Sequence, residues 1–380
     1  MNASRSEGAS ADEQVESGLA WSEFCNSIAE AGRVVLAEDL PLDALDRSEG
    51  YRYLSRLVRA GLEGCVEHAD PQAPELLRLC HETIKMGADN PDNVYLSAPI
   101  HPKHEYRLVG TRGSVHYLGI GTYDGGYGAS GSMPPAGYVT LDRAAERVEI
   151  SISRQARDGA GLHLPMSDRT RSLVVRQTFL NRGDERLAQL RIERSDGPHL
   201  AQPLTTARLA RGLRNAAGFV RGCSELFATW TRNLARAPNQ LPLFEPAVAA
   251  AAGGAEDITY FHGYWQLAGD EALLIDLRPP ACEYWNFQLN NHWLESLDYR
   301  YHTISLNKHS AVARPDGAVR LIVAQRDPGL GNWIDTCAHR RGTMSLRWVR
   351  AASLEQARAT LPHTRVVRWH ELQGEHVAAR

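Results

Sequence analysis

Along the 380-residue chain, the spacing of apolar positions changes character at Asn90. Before it, apolar residues recur every three or four positions, which predicts helices. Leu19, Trp21, Phe24, Ile28, Ala31 and Val35 fall mostly on one face of "LAWSEFCNSIAEAGRVVL". Tyr51, Leu54, Leu57, Val58, Leu62 and Cys65 do the same in "EGYRYLSRLVRAGLEGCVEHA". A shorter third helix is predicted for "PELLRLCHETIKMGA", with Pro74 suited to its first turn. Residues 1–17 are small, polar and acidic. They bury too little apolar surface to offset the entropy of ordering and are predicted to be disordered.

After "NPDN", whose Pro and flanking Asn and Asp side chains favour a turn, the period shortens to two. "EYRLVG", "SVHYLGIGTY", "RVEISISRQ", "RSLVVRQTFL" and "AQLRIER" read as strands. In "VEISIS" the strict alternation marks a strand with one face in a core. Residues 204–236 return to helical spacing through Leu209, Leu213, Phe219, Val220, Cys223, Phe227, Trp230 and Leu234, and Pro238 ends the pattern. "AVAAAAGGAED" reads as a linker or weak helix. Strand patterns resume in "EALLIDL", "YWNFQLN", "HTISLN", "VRLIVAQ" and "TMSLRWV", before a short helix "SLEQARATL" and a last strand "TRVVRW".

The two strand-rich blocks align on each other without a gap at an offset of 171 residues. Val148 meets Val319, Ile150 meets Leu321, Ile152 meets Val323 and Leu162 meets Trp333. Arg169 meets Arg340, Leu173 meets Met344, Val175 meets Leu346 and Arg176 meets Arg347. Each block is strand, Gly-rich polar loop, strand, which points to duplication. The fold expected is mainly β with helical additions: two β-sandwich or jelly-roll-like units, an N-terminal helical layer and a long connecting helix. The boundaries read as a tail 1–17, a helical segment 18–89, a first β unit 90–200, a helical connection 201–256 and a second β unit 257–380.

The loop "GNWIDTCAHRRGT" (331–343) differs between the blocks. Asn332, Trp333, Asp335, Cys337 and His339 face Gly, Leu, Leu, Met and Asp in the first block. Gathering such residues in one copy alone suggests a site in the second unit, though divergent packing explains the difference almost as well.

Composition narrows the function classes. A net charge of −3 gives no electrostatic case for nucleic acid or an anionic membrane. No apolar run is long enough to span a bilayer, and no apolar leader follows the initiating Met. The six cysteines form no C-x-x-C, so a reducing, cytoplasmic setting is expected without a zinc ribbon or redox motif. Basic charge is nearly all Arg, with Lys only at 85, 103 and 308.

"NPDNVYLSAPI", the segment from "TYFHGYWQLAGDEALLIDL" through "YWNFQLNNHWLESLDYRYHTISLN", and "DGAVRLIVAQRDPGLGNWIDTCAHRRGTMSLRW" resemble the bacterial domain-of-unknown-function family 1214. The resemblance runs over about residues 90–350 and is strongest from 260 to 350. It implies β sandwiches of jelly-roll type. It carries over no catalytic residue.

Polar residues are densest from Glu283 to His309. Strand alternation in "YWNFQLNNHW" puts Tyr284, Asn286, Gln288 and Asn290 on one face, and Trp285, Phe287, Leu289 and Asn291 on the other, the core face. The polar face suits a solvated sheet or the floor of a pocket for hydroxylated ligands. An acid/base reading uses Asp298, His302, His309, Asp335 and His339. Tyr284, Asn286, Asn290, Trp293, Asn332, Trp333 and Arg340 would then line the substrate. Each His taken alone is more often a satisfied core or surface residue. Arg340, Arg341 and Arg347 suit a carboxylate, phosphate or sulfate, or structural ion pairs. No H-E-x-x-H or H-x-H spacing supports a metal, no G-x-S-x-G a serine nucleophile, and "GIGTYDGGYG" (119–128) reads as a mobile turn or lid rather than a dinucleotide fingerprint. The function expected is a cofactor-independent hydrolase or lyase for a small or medium organic substrate. The alternatives are a carbohydrate- or lipid-like ligand-binding protein and a scaffold that oligomerises through its helices.

Overall fold

In the computed structural model, which describes residues 9–37, 42–127, 132–156, 161–351 and 353–372, the period-two segments after Asn90 fold into two sandwiches. The first contains β1 (Asn93–Pro99), β2 (Tyr106–Thr111), β3 (Tyr117–Asp124), β4 (Pro135–Thr140), β5 (Arg147–Ser153), β6 (Leu162–Pro165), β7 (Thr170–Thr178) and β8 (Gln189–Arg194). Its sheets run β1-β7-β3-β4 and β6-β5-β2-β8. The alternation of "VEISIS" is obeyed: Val148, Ile150 and Ile152 are buried while Glu149 is exposed. They join Leu108, Leu118, Ile120, Leu173 and Val175 in the core between the sheets.

The second sandwich contains β9 (Ile258–Gln266), β10 (Glu271–Leu277), β11 (Tyr284–Leu289), β12 (Ser305–Asn307), β13 (Val319–Ala324), β14 (Trp333–Asp335), β15 (Arg341–Val349) and β16 (His363–Arg368). Its sheets run β14-β13-β10-β16 and β12-β11-β15-β9. Every strand neighbour of the first unit recurs here with its number raised by eight. The one parallel pair also recurs, β5 with β6 and β13 with β14. β7 and β15 occupy positions 171 residues apart. The repeat is therefore one of a whole eight-stranded unit. Trp285, Phe287 and Leu289 enter the second core with Leu346 and Trp348, as their alternation requires.

Six α-helices accompany the strands among the described residues. They are α1 (Ala11–Glu16), α2 (Leu19–Ala31), α3 (Ala44–Leu62), α4 (Thr206–Leu234), α5 (Pro246–Ala251) and α6 (Leu354–Ala359). α4 packs on α2 and α3 through Leu213, Ala216, Ala217, Val220, Cys223 and Phe227. Gly212 permits a close approach, since a Cβ there would lie 2.7 Å from the Cys65 carbonyl oxygen. No helix among the described residues is long and apolar enough to cross a membrane.

Three local expectations fail. Residues 11–16 are helical, because the Ser10 side chain accepts from the Glu13 N–H and Glu13 closes a capping box in return; residues 1–8 lie outside the described residues. Residues 74–88 form no helix. Leu77 instead bridges Ser97 at the edge of β1 with two 2.8 Å backbone hydrogen bonds, and Gly87 and Ala88 take positive φ. Sheet pairing has overridden helical periodicity. Residues 119–124 of the expected lid are a fully buried part of β3, and Gly128 lies outside the described residues.

Candidate functional site

A strand with one face in its sandwich core leaves its other face to be covered. On β7 that outer face carries Ser172, Val174, Arg176 and Thr178, and on β15 it carries Arg347 and Val349. Between these faces, α4 and the 79–90 segment lies a cavity of about 370 Å³. Phe219, Phe227 and Trp230 of α4, with Tyr127, Met86 and Met133, make its apolar wall. The rings are interlocked: Phe227 meets Trp230 edge to face at 5.6 Å, and Trp230 meets Phe244 at 4.7 Å.

Three arginines line the cavity, of which Arg171 is exposed. Arg176 and Arg347 are both buried and both line the cavity. Tyr95 of β1 lies directly across from Arg176, and Tyr260 of β9 directly across from Arg347. Each tyrosine hydroxyl accepts from the backbone N–H five residues earlier, Asn90 to Tyr95 at 3.0 Å and Ala255 to Tyr260 at 3.1 Å. The pair is thus duplicated with its supports. Arg176 donates to the Tyr123 hydroxyl at 2.5 Å and to the Gly253 carbonyl. Arg347 donates to Gln288 Oε1 at 2.7 Å and to the Ala88 carbonyl. Its guanidinium also sits 5.9 Å from the centre of the Tyr260 ring. Among the described residues no carboxylate pairs with either guanidinium.

Burial shifts several titratable groups of the cavity toward their neutral forms. Burial pushes the Tyr95 phenol up to about 12 and raises the Cys80 thiol. Burial, helped by Arg347, pushes the His262 imidazole down to about 3. Burial also raises the Asp89 carboxyl, against the opposing pull of the Lys85 ammonium. Asp89 accepts from the Ser296 N–H at 2.9 Å and hydroxyl at 2.8 Å, and Lys85 donates to the Ser296 and Leu297 carbonyls at 2.7 and 2.8 Å.

Of the residues anticipated from sequence, Arg347 lines this cavity and the acid/base and substrate-lining candidates do not. The polar face of β11 is buried rather than solvated. Tyr284 donates to Asp92 at 2.6 Å, Asn286 to Asn90 Oδ1 at 3.2 Å, and Asn290 to Thr343 and Ser345 at 3.2 Å each. Gln288 links this network to Arg347, so the face seats the 88–92 segment and aims the arginine. Trp293 is buried under α3, where it donates from Nε1 to the Asp46 carbonyl at 2.7 Å. Asn332 latches a loop through the Val312 N–H and carbonyl at 2.7 Å each. Trp333 donates to the Ala324 carbonyl at 2.9 Å. Arg340 is exposed.

Of the proposed acid/base set, His302 and Asp335 meet at 2.8 Å on the surface. Asp298 is engaged by Arg300, whose hydrogen bonds hold its carboxyl down to about 2. His309 is exposed. His339 turns away into a buried pair with Glu49 of α3 at 3.0 Å. His302, Asp335 and Cys337 bring one ligand atom each within 4.8 Å of one another, a set that could hold a metal ion. However, Asp335 is committed to His302, and burial with Asp335 nearby raises the Cys337 thiol to about 12, against the thiolate that a metal needs.

Sequence reasoning overlooked Arg176, Tyr95 and Tyr260. A signal was present, because "LVVRQ" and "SLRWV" each place an arginine inside a buried strand, at matched positions of the repeat.

Fold and cavity together define a duplicated β-sandwich protein with a cavity at the junction of its two units. The chain belongs to the same family as an uncharacterised protein from Burkholderia cenocepacia, whose crystal structure it matches with 45% identity and a TM-score of 0.91 over 95% of this chain and 100% of that one. The VPA0106 protein from Vibrio parahaemolyticus shares the fold alone, with 12% identity and a TM-score of 0.51 over 90% of this chain and 100% of that one. No protein-family model and no curated protein matches the chain.

Proposed function

We propose that this protein is a non-catalytic binder of a small organic molecule with an apolar body, held in the cavity between its two β units. The observation that carries this reading is the junction cavity itself, about 370 Å³ with an aromatic wall and a few polar groups, which fits the usual anatomy of small-molecule sites. Proton transfer works best with groups that titrate near the working pH. His262, Tyr95 and Cys80 are all moved away from it, which favours binding over acid/base chemistry. Asn286 and Asn290 lie outside the cavity lining and their amide N–H groups are engaged within the protein, so a lipid-like or aromatic ligand suits the site better than a sugar.

The test uses 8-anilinonaphthalene-1-sulfonate as probe. Its fluorescence is expected to rise on the folded protein and to be lost in Val174→Phe, which fills the cavity, with circular dichroism unchanged. Equal binding by a folded Val174→Phe protein would overturn the reading.

The second reading is an acid/base hydrolase or lyase at the surface, supported by the 2.8 Å contact of His302 with Asp335. Its test is turnover of ester and β-hydroxy acid panels that His302→Ala removes. We also propose membership of residues 90–350 in domain-of-unknown-function family 1214, supported by the "YWNFQL", "LDYR" and "RDPG" elements.

A further inference from the structure

We propose that the ligand of the junction cavity is a dianion: two negative charges on an apolar body, taken up by Arg176 and Arg347 together. This rests on the binding reading above and specifies the ligand's charge. A guanidinium stays protonated and carries five N–H donors in a rigid fork matched to carboxylate and phosphate. Each of these two gives hydrogen bonds to two neutral protein oxygens, and none of those partners carries compensating charge. The acid that lines the same cavity, Asp89, feels the buried Lys85 more strongly than it feels Arg347. Two buried cations therefore share one chamber with no carboxylate in direct contact, Asp89 and Asp92 acting on Arg347 only through space, an arrangement that favours an anionic guest.

Duplication argues for two charges rather than one. The Tyr–Arg pair recurs in both units with the same cross-strand partner and the same backbone support. Nothing in the sandwich cores requires either arginine, since both point out of their own sandwich. On the same strand face as Arg176, beyond Val174, the buried Ser172 hydroxyl has no partner and lines the cavity. It offers a further donor for an acidic oxygen. The apolar wall of α4 sets the body between the charges as hydrocarbon or aryl.

The charges can be borne by two carboxylates or by one phosphomonoester, and the experiment separates them. The full-length protein is titrated calorimetrically, at fixed ionic strength, with α,ω-dicarboxylates from hexanedioate to dodecanedioate, with the matched monocarboxylates, and with the matched alkyl phosphates. A best dicarboxylate or alkyl phosphate that binds at least about tenfold tighter than its monocarboxylate supports the proposal and names the source of charge. That preference is expected to vanish in Arg176→Met and in Arg347→Met, while monocarboxylate binding persists. Monocarboxylates that bind as tightly as both dianion series to the unaltered protein would overturn the dianion and leave the binding cavity standing. Absence of binding by every probe, the naphthalenesulfonate included, would remove the cavity reading itself. The comparison on unaltered protein decides the matter even if neither arginine variant folds.

Discussion

Arg176 and Arg347 stand at the same position of two copies of one fold, each directly across a strand pair from a tyrosine, Tyr95 and Tyr260. Both side chains leave their own sandwich and line one chamber. This relationship ties the fold to function, because a feature that serves only to stabilise one sandwich has no reason to converge with its counterpart.

His339 and Glu49 form a buried ion pair that joins the 336–341 loop to α3. His339→Ala is expected to cost roughly 1–3 kcal/mol, because Glu49 loses its buried partner and keeps only the half-exposed Arg52, 2.7 Å from its other oxygen. Burial alone would lower the imidazole and raise the carboxyl, but the partner reverses both shifts, so His339 ends raised and Glu49 lowered. The His339 contribution is complete below the ordinary imidazole value of 6.5 and fades as pH climbs through the raised value. The Glu49 contribution is complete above the ordinary carboxyl value of 4.5 and fades as pH falls through the lowered value. Urea unfolding of the natural protein and of His339→Gln should differ most between these two values, with the gap closing on either side.

Gly50 of α3 lies against the indole of Trp293, and a Cβ there would sit 2.7 Å from two ring carbons. The ring cannot easily retreat, since its Nε1 is bonded to the Asp46 carbonyl. Gly50→Ala should therefore destabilise by about 1–3 kcal/mol, despite the better helix propensity of Ala. Adding Trp293→Phe should recover part of that loss. Additive effects in the double mutant would show that the contact is not what limits Gly50.

Lys85 and Asp89 compensate each other beneath the cavity wall. Lys85→Met should cost roughly 1–3 kcal/mol, because it leaves the buried Ser296 and Leu297 carbonyls without their donor and removes the cation that acts most strongly on Asp89. Pairing it with Asp89→Asn should cost less than the sum of the two single changes. Denaturation midpoints of the four proteins measure the coupling.

His302 and Asp335 are in contact but solvent-accessible, with His302 at 43% side-chain exposure. His302→Ala is expected to change stability by less than about 1 kcal/mol. A larger loss in calorimetric melting would mean that the loop junction is structural.

The two sandwiches were legible because "VEISIS" and "YWNFQL" each commit one face to a core, and because the offset of 171 survives without gaps. The cavity was not. Alternation tells that Tyr284, Asn286 and Gln288 point away from the core, but not whether water or a second unit meets them, since that depends on packing between distant segments. The 74–88 segment has helical spacing, yet the open edge of β1 and the positive φ of Gly87 and Ala88 decided against it. The chemistry-rich loop at 331–343 drew attention through its composition, whereas Asn332 and Trp333 serve to fasten turns.

Two like units that meet around a shared chamber resemble an isologous dimer whose subunits have been joined into one polypeptide. Symmetric partners must carry every substitution twice. Fusion lifts that constraint, so one half can keep Asp168 where the other has His339, while both retain the arginine at the join. The molecule can thus fit a guest whose two ends differ, an option closed to any homodimer that binds across its own axis.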